Sequence, residues 1–198
     1  MLSLLKPSDE RVLGWLKDRH GAEFSYPDVG ATRGTPPAGW NVNRVRRRIG
    51  NGRGVHAALV QALFAWELVR ATGTQVFANA DTISPGTEVA LRSRHFGIWS
   101  VDFCRVVYLL HDEPEKDGPI RRTGFAYGTL PEHAVRGEEI FSVTWNAKTE
   151  DVWYEIFSFS LPANWMVRAG ARLARREQLG FIGASMRAAA VIAEDAGR

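Results

Sequence analysis

Several short stretches carry the residue types that do chemistry. The densest is Gly124-Phe125-Ala126-Tyr127-Gly128-Thr129-Leu130-Pro131-Glu132-His133, followed closely by Gly137-Glu138-Glu139. A histidine and two acids near one turn could form an acid/base set, with Tyr127 as a further proton donor. Small and aromatic residues alternate here, so Gly124, Ala126 and Gly128 take one strand face and Phe125, Tyr127 and Thr129 the other. Glycines within a strand admit the close approach of another segment or of a ligand. Arg105 is an odd residue inside the apolar run Phe103 to Tyr108. Such a cation is exposed, paired with an acid such as Glu139, or aimed at an anionic group. Tyr108, Tyr127 and Tyr154 each offer an apolar ring with a polar tip. The candidate ligand-binding residues are therefore Arg105, Tyr108, Tyr127, Thr129, His133, Glu139 and Tyr154, and Glu139, His133 and Tyr127 are the candidates for acid/base work.

Other motifs carry less. Gly50-x-Gly52-x-Gly54 lies between a strand and a helix, where backbone amides could hold an anion. Its spacing is not the dinucleotide fingerprint, and it lacks the lysine and hydroxyl residue of a phosphate loop; it reads as a strand-to-helix turn. No Gly-x-Ser-x-Gly elbow occurs. Cys104, the single cysteine, sits in an apolar strand and reads as a small core residue rather than a nucleophile. The five histidines show no spacing that converges on a metal. No metal site and no cofactor are expected.

These residues must be positioned by elements legible in the pattern. Ser8 caps a short helix carrying Val12, Leu13 and Leu16 and ending near Gly21. Residues 22–40 are broken by prolines and glycines and read as irregular. Asn41 to Ile49 is a strand with Val45 and Ile49 inward, and His56 to Ala71 a single helix with its stripe of Ala58, Leu59, Ala62, Leu63, Trp66 and Val69. Strands follow at 74–79, 86–95, 98–110, 120–128, 138–146 and 151–160, separated by short turns, which makes neighbours antiparallel. A last helix runs from about Asn164 to Glu194. One of its faces carries Met166, Gly170, Leu173, Phe181, Ala184, Ala188 and Ile192, with Glu177 among them. The other carries Leu179, Ile182, Met186 and Ala190. A helix apolar on two sides is sandwiched or joins two copies, so a homo-oligomer is one expectation.

Grouped strands with helices at the ends make an α+β chain: a curved antiparallel sheet of about seven strands around a long C-terminal helix. Residues 1–40 are expected to be an N-terminal helical extension packed on a domain spanning 41–198. The 198 residues suffice for one core. One cysteine, no secretory core and no long apolar run point to a cytoplasmic address without a membrane span. A net charge of +3 is too small to announce nucleic-acid binding. The arginines at 44, 46, 47, 48 and 53 and at 168, 172, 175 and 176 are read as solvated faces.

Tyr26-x-x-Val29-Gly30-Ala31-Thr32, Gly50-x-Gly52, Cys104-Arg105-Val106-Val107-Tyr108, Gly124 to Pro131 with His133 and Gly137-Glu138-Glu139, and Val152-Trp153-Tyr154-Glu155-Ile156 together resemble the domain-of-unknown-function family numbered nineteen-ninety, over roughly residues 24–190. The family brings no activity, cofactor or catalytic residue with it. The resemblance implies the helix-grip superfamily of the birch-pollen allergen and the steroidogenic lipid-transfer (START-like) domains, whose order of strand, helical segment, six strands and long helix matches the one read here. Two short helices are usual there where one is read in this chain. The leading expectation is a domain binding a small apolar or amphipathic ligand in a partly apolar cavity between sheet and C-terminal helix. The alternatives are a cyclase- or hydrolase-like enzyme, a binder of nucleic acid or an acidic partner through Arg44, Arg46, Arg48 and Arg53, and an oligomerising module.

Overall fold

The computed structural model describes residues 1–114, 118–163 and 171–198, and side chains throughout these except at 171–174. An eight-stranded antiparallel sheet is its centre. β2 (Asn41–Asn51), β3 (Gln75–Ala78), β4 (Glu88–His95), β5 (Ile98–Pro114), β6 (Ile120–Thr129), β7 (Val135–Asn146) and β8 (Asp151–Pro162) lie in the order β2-β8-β7-β6-β5-β4-β3, and the short β1 (Leu2–Ser3) adds to β5. Consecutive strands from β3 to β8 are joined as neighbours by short connections, while β2 reaches the far edge beside β8. α2 (Arg53–Phe64) and α3 (Glu67–Arg70) connect β2 to β3, and the final helix α4 (Ala171–Ala196) packs against β2, β8 and α2. This is the helix-grip arrangement, with α1 (Asp9–Asp18) added at the N-terminal end.

Two-residue alternation sends each strand's apolar residues to both faces. Val89, Cys104, Val106, Phe125, Tyr127, Phe141, Val143, Tyr154 and Ile156 form one continuous core with α2, α3 and α4. The opposite face is apolar too. Phe103, Ala90 and Val101 receive Val12 and Leu16 of α1, and Tyr108, Ala126, Ile140 and Phe157 form a further cluster.

The segment expected as one helix over His56–Ala71 is two. Trp66 takes a left-handed conformation, φ 62°, at the junction of α2 and α3. That conformation is uncommon for a bulky residue, and burial of the indole against Phe125, at 4.8 Å between rings, holds it there. The final helix also differs from expectation. Its buried stripe is Ile182, Ser185, Met186, Ala189 and Ala193, with Phe181, Ala188 and Ile192 at the margin. The two predicted faces are thus the two flanks of one broad buried side, and Leu179 is exposed. The helix start near Asn164, together with Met166, Gly170 and the Leu173 side chain, lies outside the described residues.

One carboxylate ties the N-terminal segment to the sheet. Glu138 of β7 is buried and accepts hydrogen bonds from the Tyr26 hydroxyl (2.7 Å), the Gly30 amide (2.6 Å), the Thr32 amide (2.9 Å) and the Thr32 hydroxyl. Thr32 Oγ1 also meets the Tyr108 hydroxyl at 2.7 Å. Tyr26 lies flat against β6 because residue 128 is glycine: a Cβ there would stand 2.1 Å from the Tyr26 hydroxyl oxygen. Glu138→Ala is expected to lower the unfolding free energy by ~3–5 kcal/mol, since it orphans several buried donors at once. Gly128→Ala should be destabilising in the same direction by expelling Tyr26. Denaturant midpoints measure both.

Candidate functional site

A cavity of about 570 Å³ opens between the sheet and the start of the described part of α4. Apolar walls come from Leu91, Trp99, Tyr127, Val135 and Phe181, and polar ones from Ser93, Asp102, Thr129, His133, Glu139 and Ser158. Arg94, His95, Arg176 and Glu177 also line it. Glu177, the acid among the apolar residues of the last helix, is held at 2.5 Å by Nδ1 of His95.

Four of the seven sequence-derived candidates reach this cavity: Tyr127, Thr129, His133 and Glu139. Tyr127 and Glu139 are direct cross-strand partners on β6 and β7, and the Tyr127 hydroxyl donates to Glu139 Oε2 at 3.0 Å. Burial raises the Glu139 carboxyl from 4.5 to about 7, against the opposing effect of the Tyr127 hydrogen bond. The Tyr127 hydroxyl is pushed well up, by burial first and then by the charge of Glu139. His133 Nδ1 accepts the Val135 amide proton at 3.1 Å, which leaves Nε2 as the protonated nitrogen of the neutral ring. Burial and the neighbouring N-terminal amine lower its pKa, with Asp102 at 3.9 Å pulling the other way. Thr129 is engaged with Ser25 (2.6 Å) and with the Gly137 amide (2.9 Å).

The other three candidates stand elsewhere. Tyr154 is on the cavity side of the sheet but is spent on Ser185 of α4, hydroxyl to hydroxyl at 2.9 Å. Arg105 alternates with Cys104 and Val106 and so points to the opposite face. There it pairs with Glu88, its cross-strand partner, at 2.9 Å, and donates to the Ala22 carbonyl at 2.6 Å; Glu139 is not its acid. Burial pushes Glu88 up, but the Gly21 amide, His20 and Arg105 outweigh it and leave its carboxyl below the usual value. Tyr108 would share the face of Val106 by simple alternation. A β-bulge between the two turns it to the far side, where it meets Thr32 and the Arg33 guanidinium. Neither Arg105 nor Tyr108 lines the cavity.

Arg44, Arg46 and Arg48 of β2 also lie on that far face, while Arg47 alternates to the side of Val45. Arg44 pairs with Glu155 at 3.1 Å and stacks on Phe157, Arg48 pairs with Asp151, and Arg46 lies over Trp153. Cys104 is fully buried, and burial pushes its thiol well up. Among the described residues no group of His, Cys, Asp and Glu could hold a metal ion, and no helix is long and apolar enough to cross a membrane.

Three polar positions on the α4-facing side of the sheet escape the sequence reading. Asp102 and Ser158 line the cavity from β5 and β8, and Asn43 follows Ser158 on β2. Their signal was present but faint: each is a small or acidic polar residue in a strand otherwise rich in apolar or basic residues.

A curved antiparallel sheet holding a C-terminal helix defines the helix-grip fold. The chain matches the model of the family described as "Domain of unknown function (DUF1990)" over residues 25–188, and it belongs to that family. A UPF0548 protein of Dictyostelium discoideum is 28% identical, covering 92% of this chain and 91% of that one. A UPF0548 protein of Deinococcus radiodurans is 32% identical over 82% of this chain and 84% of its own length. Among solved structures, a hypothetical protein from Helicobacter pylori superposes with a TM-score of 0.53 at 12% identity, covering 85% of this chain and 95% of that one, a likeness of fold alone.

The raised Glu139 pKa has a consequence for stability. An unfolded glutamate ionises near 4.5 and the folded one near 7, so between these values the folded state binds more protons. Stability contributed through this group therefore falls as pH rises from about 4.5 to 7 and is level above that, a difference on the order of 3 kcal/mol. Denaturant unfolding at pH 5 and pH 8 is expected to show a larger loss in the wild type than in Glu139→Gln. Equal losses would place the Glu139 pKa near its ordinary value.

Proposed function

We propose that this domain binds a small, partly apolar molecule in the cavity between the sheet and α4. The observation that supports this best is the cavity itself: about 570 Å³ with aromatic and aliphatic walls and a few placed polar groups. Small-molecule sites have this size and make-up. Burial of an apolar ligand body supplies ~25 cal/mol per Å² removed from water, and the polar groups orient it.

A second reading is favoured by one feature. A carboxyl near neutrality, touching a tyrosine hydroxyl in the same hollow as a neutral histidine, is suited to proton transfer. In that reading the bound molecule is a substrate, Glu139 carries the proton, and the chemistry is cyclase- or hydrolase-like. Both readings need the cavity to be occupied.

Gly180 lines the cavity on α4, and a Cβ built there meets nothing within 4 Å. Gly180 is exposed, so Gly180→Trp places an indole at the cavity rim without opposing the backbone, and replacing a helical glycine favours the helix by up to ~1 kcal/mol. Native mass spectrometry of the protein purified from its own host is expected to show a small-molecule adduct, absent from Gly180→Trp purified in parallel. An adduct retained unchanged in a folded Gly180→Trp would move the binding site away from this cavity.

A further inference from the structure

The register of the sheet places four polar side chains in one line across the cavity face. Tyr127 pairs with Glu139, Glu139 with Ser158, and Ser158 with Asn43, on β6, β7, β8 and β2 in turn. Each is flanked along its own strand by core residues: Phe125 and Phe141 next to the first two, Ile156 and Val45 next to the others. Neighbouring strands stand ~4.8 Å apart, so successive side chains of such a line are cross-strand neighbours.

The line is only partly satisfied from within. Tyr127 occupies Glu139 Oε2. Arg175 of α4 donates to Asn43 Oδ1 and so orients that amide. Ser158 Oγ and Asn43 Nδ2 are buried and have no hydrogen-bond partner among the described residues, although Ser158 is 3% and Asn43 5% exposed. Polar groups buried in this way are disfavoured unless something pairs with them. Ser158 and Glu139 both line the cavity. Of the two unpaired positions, Ser158 therefore faces the space in which a small molecule is proposed to bind, and Asn43 lies one rung beyond the cavity lining.

The spacing selects a chemistry. A hydroxyl oxygen can donate one hydrogen bond and accept another, each ~2.8 Å long, and two such bonds at a near-tetrahedral angle span ~4.5 Å. That is close to the distance between adjacent rungs of the sheet. One hydroxyl between Glu139 and Ser158 can donate to the carboxylate and accept from the serine at once. A carboxylate or phosphate, which only accepts, would meet the Glu139 carboxylate with like charge. An ether cannot donate, and a hydrocarbon leaves Ser158 unpaired.

We infer that the line Ser158–Glu139–Tyr127 is the head-group site of the cavity, and that it takes an uncharged alcohol or phenol hydroxyl carried on an apolar body. Glu139 and Ser158 hold the hydroxyl, and Tyr127 positions the Glu139 carboxyl. The apolar body lies against Phe181, Leu91 and Trp99. Arg94 and Arg176, which are exposed, belong to the outer part of the cavity rather than to this line. This inference rests on the cavity-binding reading above.

Three probes with one apolar body separate the possibilities: 2-naphthol, its methyl ether 2-methoxynaphthalene, and 2-naphthoate. Binding is measured by titration calorimetry on the full chain at pH 7.5. The naphthol is expected to bind about tenfold more tightly than the ether, the difference made by one or two hydrogen bonds in a buried site. The naphthoate is expected to bind more weakly than the naphthol. In Ser158→Ala and in Glu139→Leu the preference for naphthol over ether should shrink to about twofold or less. Both variants are checked for a wild-type thermal transition, and Ser158→Ala, the smaller change, decides if Glu139→Leu fails to fold. Equal binding of naphthol and ether by the wild type, or a preference that survives both substitutions, overturns the hydroxyl site while leaving the cavity reading standing. Tightest binding by the naphthoate overturns it in favour of an anion site. Failure of all three probes to bind counts against the cavity reading itself, and the hydroxyl site falls with it.

Discussion

Glu138 is a charged group enclosed by protein, and its enclosure organises both faces of the sheet. A buried carboxylate is tolerated only where donors surround it. Here the donors come from residues 26, 30 and 32, so the irregular N-terminal segment is drawn across the far side of β6 and β7. Tyr26 then needs the bare backbone of Gly128, and Thr32 in turn reaches Tyr108. Much of the pattern by which the chain resembles its family is accounted for by this single clamp. Tyr26, Gly30, Thr32, Tyr108, Gly128 and Glu138 are scaffold, joined through one carboxylate.

The same constraint acts on the neighbouring residue. Because Glu138 must face the N-terminal segment, alternation turns Glu139 to the other side, into the hollow beneath α4. Two adjacent acids of one type thus acquire opposite characters. Glu138 is saturated with donors. Glu139 has one hydroxyl and an apolar neighbourhood, and burial lifts its pKa to about 7. A group balanced between charged and neutral forms, beside Tyr127 and in line with Ser158, gives an otherwise greasy cavity a defined polar floor. Ion pairs on the far face, such as Arg105 with Glu88, hold strands and the N-terminal segment together.

The order of elements, the turns and the antiparallel neighbours were legible in the sequence because they rest on local rules: alternation in strands, glycine and proline between them, a capping serine at α1. The separation of Gly124, Ala126 and Gly128 from Phe125, Tyr127 and Thr129 follows from alternation alone, and so does the prospect that a strand glycine receives a close neighbour. That Val45 and Ile49 pack inward has the same origin. The candidates Tyr127, Thr129, His133 and Glu139 could be grouped because one turn and two adjacent strands carry them all.

What alternation leaves open is which face is which, and where the count of two is broken. The bulge after Val106 sends Tyr108 to the far face, and no residue type in Val106-Val107-Tyr108 announces it. Arg105 could be assigned a partner only once register set Glu88 opposite it. The break at Trp66 comes from an indole anchored against Phe125, a contact between segments far apart in the chain. The line from Tyr127 through Glu139 and Ser158 to Asn43 crosses three consecutive strands and the sequence-distant β2, and only their register makes neighbours of these four residues. The sequence by itself determined the helix-grip order and the inventory of polar groups; the tertiary structure decided which of them face the cavity, because that choice depends on long-range register and on where a buried carboxylate finds its donors.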